Sequence, residues 1–188
     1  MKATFTLPEG YQAKYIINLK EKRPAILVNG LALVITLILI LIGAMYCPFS
    51  KLLDPLDLTA ALRLLSVGIG CLVYIPLHEL VHGLFIRIYS GRRAKYGFTL
   101  MYAYAGSDAW FAKGPYIVIA LAPVVLWGIV LAAIQSLVPL SWFWVVYFIQ
   151  IVNLSGAAGD LYVFVRLLHE KPDILIRDTG TDMTVWGK

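Results

Sequence analysis

The sequence predicts an all-α polytopic membrane protein with four transmembrane helices, and three observations predict it. Hydrophobic residues make up 60% of the 188-residue chain and charged ones only 14%, against roughly 25% charged in soluble domains; the mean hydropathy is +0.79. Four apolar stretches each reach the ~20 residues that a bilayer core requires. The basic residues gather at the ends of those stretches rather than inside them.

Residues 1–23 form a polar segment carrying Lys2, Lys14, Lys20, Lys22 and Arg23. The first span, 24–46, runs from Pro24 to Tyr46 without a charge. It follows a polar stretch and shows no small-residue cleavage site, so it reads as an anchor and not as a removed signal peptide. The second span, 59–89, runs from Thr59 to Tyr89. The third, 115–138, runs from Pro115 to Val138, and the fourth, 141–168, from Ser141 to Leu168. Only "PL" separates the last two, which predicts a tight helical hairpin. Residues 169–188 are a tail too short to fold alone, expected to dock on the cytoplasmic face.

Lys and Arg near span ends favour the cytoplasmic side. Arg87 at the end of span two and Arg92, Arg93, Lys95 and Lys113 after it lie on one side with Arg166 at the end of span four and Lys171, Arg177 and Lys188 beyond it, and only Lys51 and Arg63 fall on the opposite side. Both termini are therefore expected to be cytoplasmic. These belts account for the net charge of +5, since each basic residue gains ~1 kcal/mol beside anionic lipid; the bilayer is the expected partner and nucleic acid is not needed. Cys47 and Cys71 differ in depth and form no CxxC, so neither a disulfide nor a metal knuckle is expected.

Between spans two and three, "YGFTLMYAYAGSDAWF" alternates Phe98, Leu100, Tyr102 and Tyr104 with Thr99, Met101, Ala103 and Ala105. Period-two patterning suits a short strand; a re-entrant segment or an aromatic interfacial loop fits the same residues. A strand there would let Tyr102 and Tyr104 meet an unwound substrate by strand addition. Asp108, in the following turn, reads as solvated.

The chemistry concentrates in "YIPLHELVHGLF". His78 and His82 are four residues apart, so on a helix they share one face and can grip a single metal ion, with Glu79 beside them. In a span the pattern gains weight, because an ionisable side chain at mid-bilayer costs ~2.5–3.5 kcal/mol and marks a functional interior. Two histidines a turn apart also suit plain hydrogen bonding or an ion path. Haem is disfavoured, since axial ligands approach from opposite faces of the ring. Pro76 cannot donate to the Leu72 carbonyl, which suggests either a local distortion or a tolerated membrane proline.

A catalytic zinc takes three protein ligands and leaves a position for water. The extended pattern HExxHxxGxxH fails, with Phe85 and Ile88 at the required Gly and His, and His169 in "LLHEK" reads as an interfacial residue. Asp160, in "VNLSGAAGDLYVF", is the better candidate, being apart from Glu79 the only carboxylate inside a span. At 1.5 Å per residue, His78 lies about 13 Å from Arg87 and Asp160 about 9 Å from Arg166, both in the cytoplasmic half. Asn153, Gly156, Ala157 and Asp160 follow i, i+3, i+4, i+7 spacing, a small-residue face suited to close helix packing.

"HELVHGLF", "LAPVV" and "GAAGDLY", together with the "FTLPEGY" opening and the tryptophan-containing tail, resemble bacterial membrane proteins described as putative zincin peptidases. That group is distantly similar to the site-2 proteases, which are intramembrane zinc metalloproteases. The resemblance implies His78, His82 and Asp160 as zinc ligands, Glu79 as the catalytic glutamate, and Asn153 as a residue holding substrate or its oxyanion. It also implies the cytoplasmic membrane of a bacterium. Site-2 proteases usually place prolines and an Asp-Gly pair in the third-ligand segment, whereas here "LSGAAG" joins Asn153 to Asp160 and Leu161 follows. The function expected is zinc-dependent hydrolysis of peptide bonds in membrane or membrane-proximal substrates, with Glu79 as base. A metal-binding transporter or sensor, or an inactive scaffold of the same fold, would carry the same ligands.

Overall fold

The structure, a computed structural model, describes residues 2–18, 21–98, 103–180 and 182–188. The chain forms two compact units, one of Met1–Ile26, Glu79–Pro123 and Gly159–Lys188, the other of Leu27–His78 and Val124–Ala158. The helices are α1 (Lys22–Tyr46), α2 (Leu58–Ser90), α3 (Lys113–Leu137), α4 (Phe143–Gly156) and α5 (Ala158–Leu168). As expected, four helical stretches are long and apolar enough to cross a membrane: α1, α2, α3 and the run from Leu140 to Leu168.

Each helix end has a local cause. Asp57 precedes α2 and its Oδ1 accepts from the Thr59 and Ala60 amides, at 2.8 and 3.3 Å, an N-cap worth about 1 kcal/mol. Pro76 lies inside α2, which stays helical through it. The fourth span is not one helix. It breaks at Ala157 (φ −78°, ψ 9°), between Gly156 and Gly159, whose low helix propensity makes an interruption cheap. The expected single face of Asn153, Gly156, Ala157 and Asp160 is therefore corrected: Asn153 and Gly156 belong to α4, Ala157 sits in the break, and Asp160 lies in the first turn of α5.

The all-α expectation is also corrected. In the first unit, β1 (Ala3–Thr4), β5 (Trp110–Ala112), β6 (Leu175–Asp178), β7 (Met183–Gly187) and β2 (Gln12–Ile17) form a five-stranded sheet in that spatial order. Every pairing is antiparallel, with Ala3 opposite Phe111, Phe111 opposite Ile176, Ile176 opposite Val185, and Ile17 opposite Met183. The amino-terminal segment, the link between α2 and α3, and the tail thus share one sheet. Its Phe111, Ile176 and Val185 pack with Ile86 of α2, Tyr116, Ile119 and Ala120 of α3, and Val163 and Leu167 of α5. Removing such a side chain from water stabilises by about 1.5–3 kcal/mol, which explains why short strands from distant segments hold together. At the sheet's margin, Lys14 Nζ lies 2.5 Å from Glu170 Oε2. Burial, and then the neighbouring Glu170 carboxylate, push the Tyr15 hydroxyl up to about 12.

The segment after α2 forms a hairpin rather than a single strand. β3 (Lys95–Phe98) pairs with β4 (Ala103–Gly106), Tyr96 opposite Ala105 and Phe98 opposite Ala103. Thr99, Leu100, Met101 and Tyr102 lie outside the described residues. Asp108 is exposed, as expected, with Lys95 as a close partner and Arg177 Nη2 at 3.7 Å.

In the second unit, Cys47, Leu52, Trp144 and Val145 form the core, and both cysteines are free. Gly43 is required here, because a Cβ at that position would collide with the rings of Tyr147 and Trp144. Arg63 is only 2% exposed. Its Nη1 donates to the carbonyls of Lys51, Asp54 and Ser141, and its Nη2 to those of Asp54 and Pro55, at 3.0–3.4 Å. The guanidinium fork therefore ties two loops to the start of α2. Arg63→Ala is expected to lower unfolding stability by about 1–3 kcal/mol, the cost of stranding buried acceptors. Thermal unfolding in detergent checks this, and an unchanged midpoint would remove Arg63 from the role.

Candidate metal centre

His78, Glu79 and His82 lie within about one turn of α2, where four-residue spacing places both imidazoles on one face. Each offers a ligand atom, and these atoms lie within 4.8 Å of one another. The histidines are 8% and 9% exposed, and Glu79 is half-buried.

The outer nitrogens of both rings are engaged. His82 Nδ1 lies 2.8 Å from the Ile119 carbonyl of α3. A carbonyl only accepts, so Nδ1 carries the proton and, in the neutral ring, Nε2 carries the lone pair. Asp160 Oδ1 stands 3.6 Å from that Nε2. His78 Nδ1 lies 2.7 Å from the Tyr74 hydroxyl, which donates to Asn153 Oδ1 at 2.6 Å. The two imidazoles and the Glu79 carboxylate, grouped within 4.8 Å with the outer ring nitrogens held by acceptors, suit a metal ion that takes nitrogen and oxygen donors.

More of the first unit surrounds His82. Tyr116 of α3 donates to Asp178 Oδ2 at 2.5 Å, and the Gly180 amide donates to Asp178 Oδ1 at 2.8 Å. Burial raises the Asp178 carboxyl above the usual carboxylate range, with the two donors pulling the other way. One residue past His82, Gly83 has no room for a Cβ, since it would strike the Tyr96 hydroxyl of β3. The β3–β4 hairpin is thereby seated against α2 beside the motif.

Within this frame, the family model described as putative zincin peptidase matches residues 71–175. The chain belongs to that family. Neither a curated protein nor a solved structure matches it. The zincin peptidase match contains His78, Glu79 and His82, and also Tyr102, Tyr104, Asn153 and Asp160.

The other sequence-predicted residues are placed differently. Asp160 is within 3.6 Å of His82. Asn153 is fully buried, and its Nδ2 donates to the Val124 carbonyl at 3.2 Å. The Tyr104 side chain leaves no room for one on Gly97, its partner across the hairpin, or on Gly180 in the tail. Tyr102 lies outside the described residues. His169 is exposed, its Nδ1 2.9 Å from the Val165 carbonyl. Sequence reasoning missed Tyr74 and the Ile119 carbonyl. Tyr74 stands one turn before His78, so its spacing was a usable signal. A main-chain oxygen leaves none.

Proposed function

We propose that the chain is a zinc-dependent, membrane-embedded peptidase that hydrolyses peptide bonds of membrane or membrane-proximal substrates. The observation that carries this is the grouping of His78, Glu79 and His82 within 4.8 Å on α2, a helix long and apolar enough to span a bilayer. Zinc held by His78, His82 and Asp160 would supply a Lewis acid for the scissile carbonyl and an acidified water. Glu79, at the base position of the motif, accepts the proton of the attacking water and returns it to the leaving amine. Asp160 supports the third-ligand role by its side of the ring. It faces Nε2 of His82, the lone-pair nitrogen, whereas a carboxylate that merely orients a histidine sits at the protonated one.

The family resemblance supports a bacterial cytoplasmic-membrane protein, the distribution of basic residues supports both termini being cytoplasmic, and the distances of His78 and Asp160 from Arg87 and Arg166 support a site in the cytoplasmic half. The five-stranded sheet agrees with this, because the three segments it joins must lie on one side. Among the described residues β3 pairs only with β4, which supports reception of an extended substrate at the hairpin by strand addition, with Tyr104 on the paired strand.

The test is metal identification on the purified full chain in detergent. One zinc per chain is expected, with anomalous density bonded to both histidines and to Asp160 at ~2.0–2.2 Å. Absence of zinc overturns the reading, and an Asp160 carboxylate far from that zinc removes it from the ligand set.

A further inference from the structure

The buried polar chain that ends at His78 has a direction, and the direction can be deduced from its far end. The Val124 carbonyl can only accept, so at 3.2 Å it fixes Asn153 with Nδ2 toward Val124 and Oδ1 toward Tyr74. Oδ1 in turn can only accept, so the single hydroxyl proton of Tyr74 points at it, across 2.6 Å. With that proton committed, the Tyr74 oxygen meets His78 Nδ1, 2.7 Å away, as an acceptor. Nδ1 must therefore carry the imidazole proton, which leaves the lone pair on Nε2.

The surroundings make this more than an incidental contact. Asn153 is 0% and Tyr74 5% exposed, and a hydroxyl or amide in an apolar setting costs several kcal/mol unless it is paired. The Tyr74 ring is held edge-on by Trp127, centroids 6.3 Å apart, and Trp127 Nε1 reaches the Leu77 carbonyl at 3.4 Å. His82 uses the simpler device, a main-chain carbonyl, for the same proton position. The two histidines are thus set alike by unrelated partners. A shared outcome from unrelated partners is what a site needing two Nε2 ligands requires.

We propose that Tyr74 and Asn153 are positioning residues that lock His78 in its Nδ1-protonated tautomer and aim Nε2 at the metal. The proposal rests on the peptidase reading for its purpose but not for its test. The first measurement uses metal-free, ¹⁵N-histidine-labelled full chain in detergent, where ring nitrogen shifts report each tautomer. His78 is expected Nδ1-protonated in the wild type and to lose that preference in Tyr74→Phe, while His82 is unchanged. The second is competition for zinc against a chromophoric chelator: Tyr74→Phe is expected to weaken binding ~10- to 100-fold, the usual effect of removing an outer partner. Trp127→Phe, which disturbs packing beside the same ring without touching the hydrogen-bond chain, should bind zinc as the wild type does. An Nε2-protonated His78 in the wild type overturns the proposal even if no variant folds. So does a Tyr74→Phe protein whose tautomer and zinc affinity match the wild type, or a Trp127→Phe protein that weakens zinc as much as Tyr74→Phe. A wild type that binds no zinc overturns the peptidase reading instead, and the tautomer measurement still decides the inference.

Discussion

Glu79→Gln is expected to abolish peptide hydrolysis while leaving zinc in place. The substitution preserves side-chain volume and one acceptor oxygen but removes the group that can take a proton. General acid–base catalysis by a positioned side chain contributes about 10²–10⁴-fold, so turnover should fall by at least that range. Zinc content should not, because the proposed ligands are His78, His82 and Asp160. The measurement pairs cleavage of a reporter peptide that the wild type processes with metal content by mass spectrometry. Retained hydrolysis would remove Glu79 from the base position. Retained metal transport or sensing without any hydrolysis in the wild type would instead favour a non-enzymatic use of the same ligands.

His82→Ala should produce the opposite pattern, a loss of metal first. It deletes a proposed ligand directly, along with the bond from Nδ1 to the Ile119 carbonyl and the approach to Asp160. Removing an outer partner typically costs 10–100-fold in metal affinity, and deleting a ligand should exceed that range. Chelator competition on the full chain reads the difference. A His82→Ala protein that binds zinc within 10-fold of the wild type would contradict the ligand assignment. Thermal unfolding of the metal-free variant separates ligand loss from the stranded Ile119 carbonyl, which is worth about 1–3 kcal/mol by itself.

The parts of the molecule that sequence revealed are those governed by local rules. Hydropathy exposed the four spans because the length a bilayer demands is a property of consecutive residues. The spacing of His78 and His82 exposed the motif because one helical turn is fixed geometry, and Asp160 stood out as a rare carboxylate among apolar neighbours. The sheet escaped because its strands are two to six residues long and find partners from remote segments, where no periodicity connects them. The break at Ala157 escaped because two glycines in a membrane helix fit close packing as readily as interruption. Asn153 was visible as a buried amide, but its partner Tyr74 lies 79 positions away in sequence, and nothing local links them.

The order of the strands has a consequence for how the chain is made. β6 and β7, which follow all four spans in the chain, occupy interior places of the sheet, while β2, which precedes them, is paired among the described residues only with β7. The early strand must therefore wait, unpaired, through the synthesis and insertion of every span before its neighbour exists. An exposed strand edge in that interval invites pairing with another chain, and stalled or truncated products share the hazard. Assembly of the sheet is in this sense a checkpoint on insertion: it closes only after α5 has been delivered.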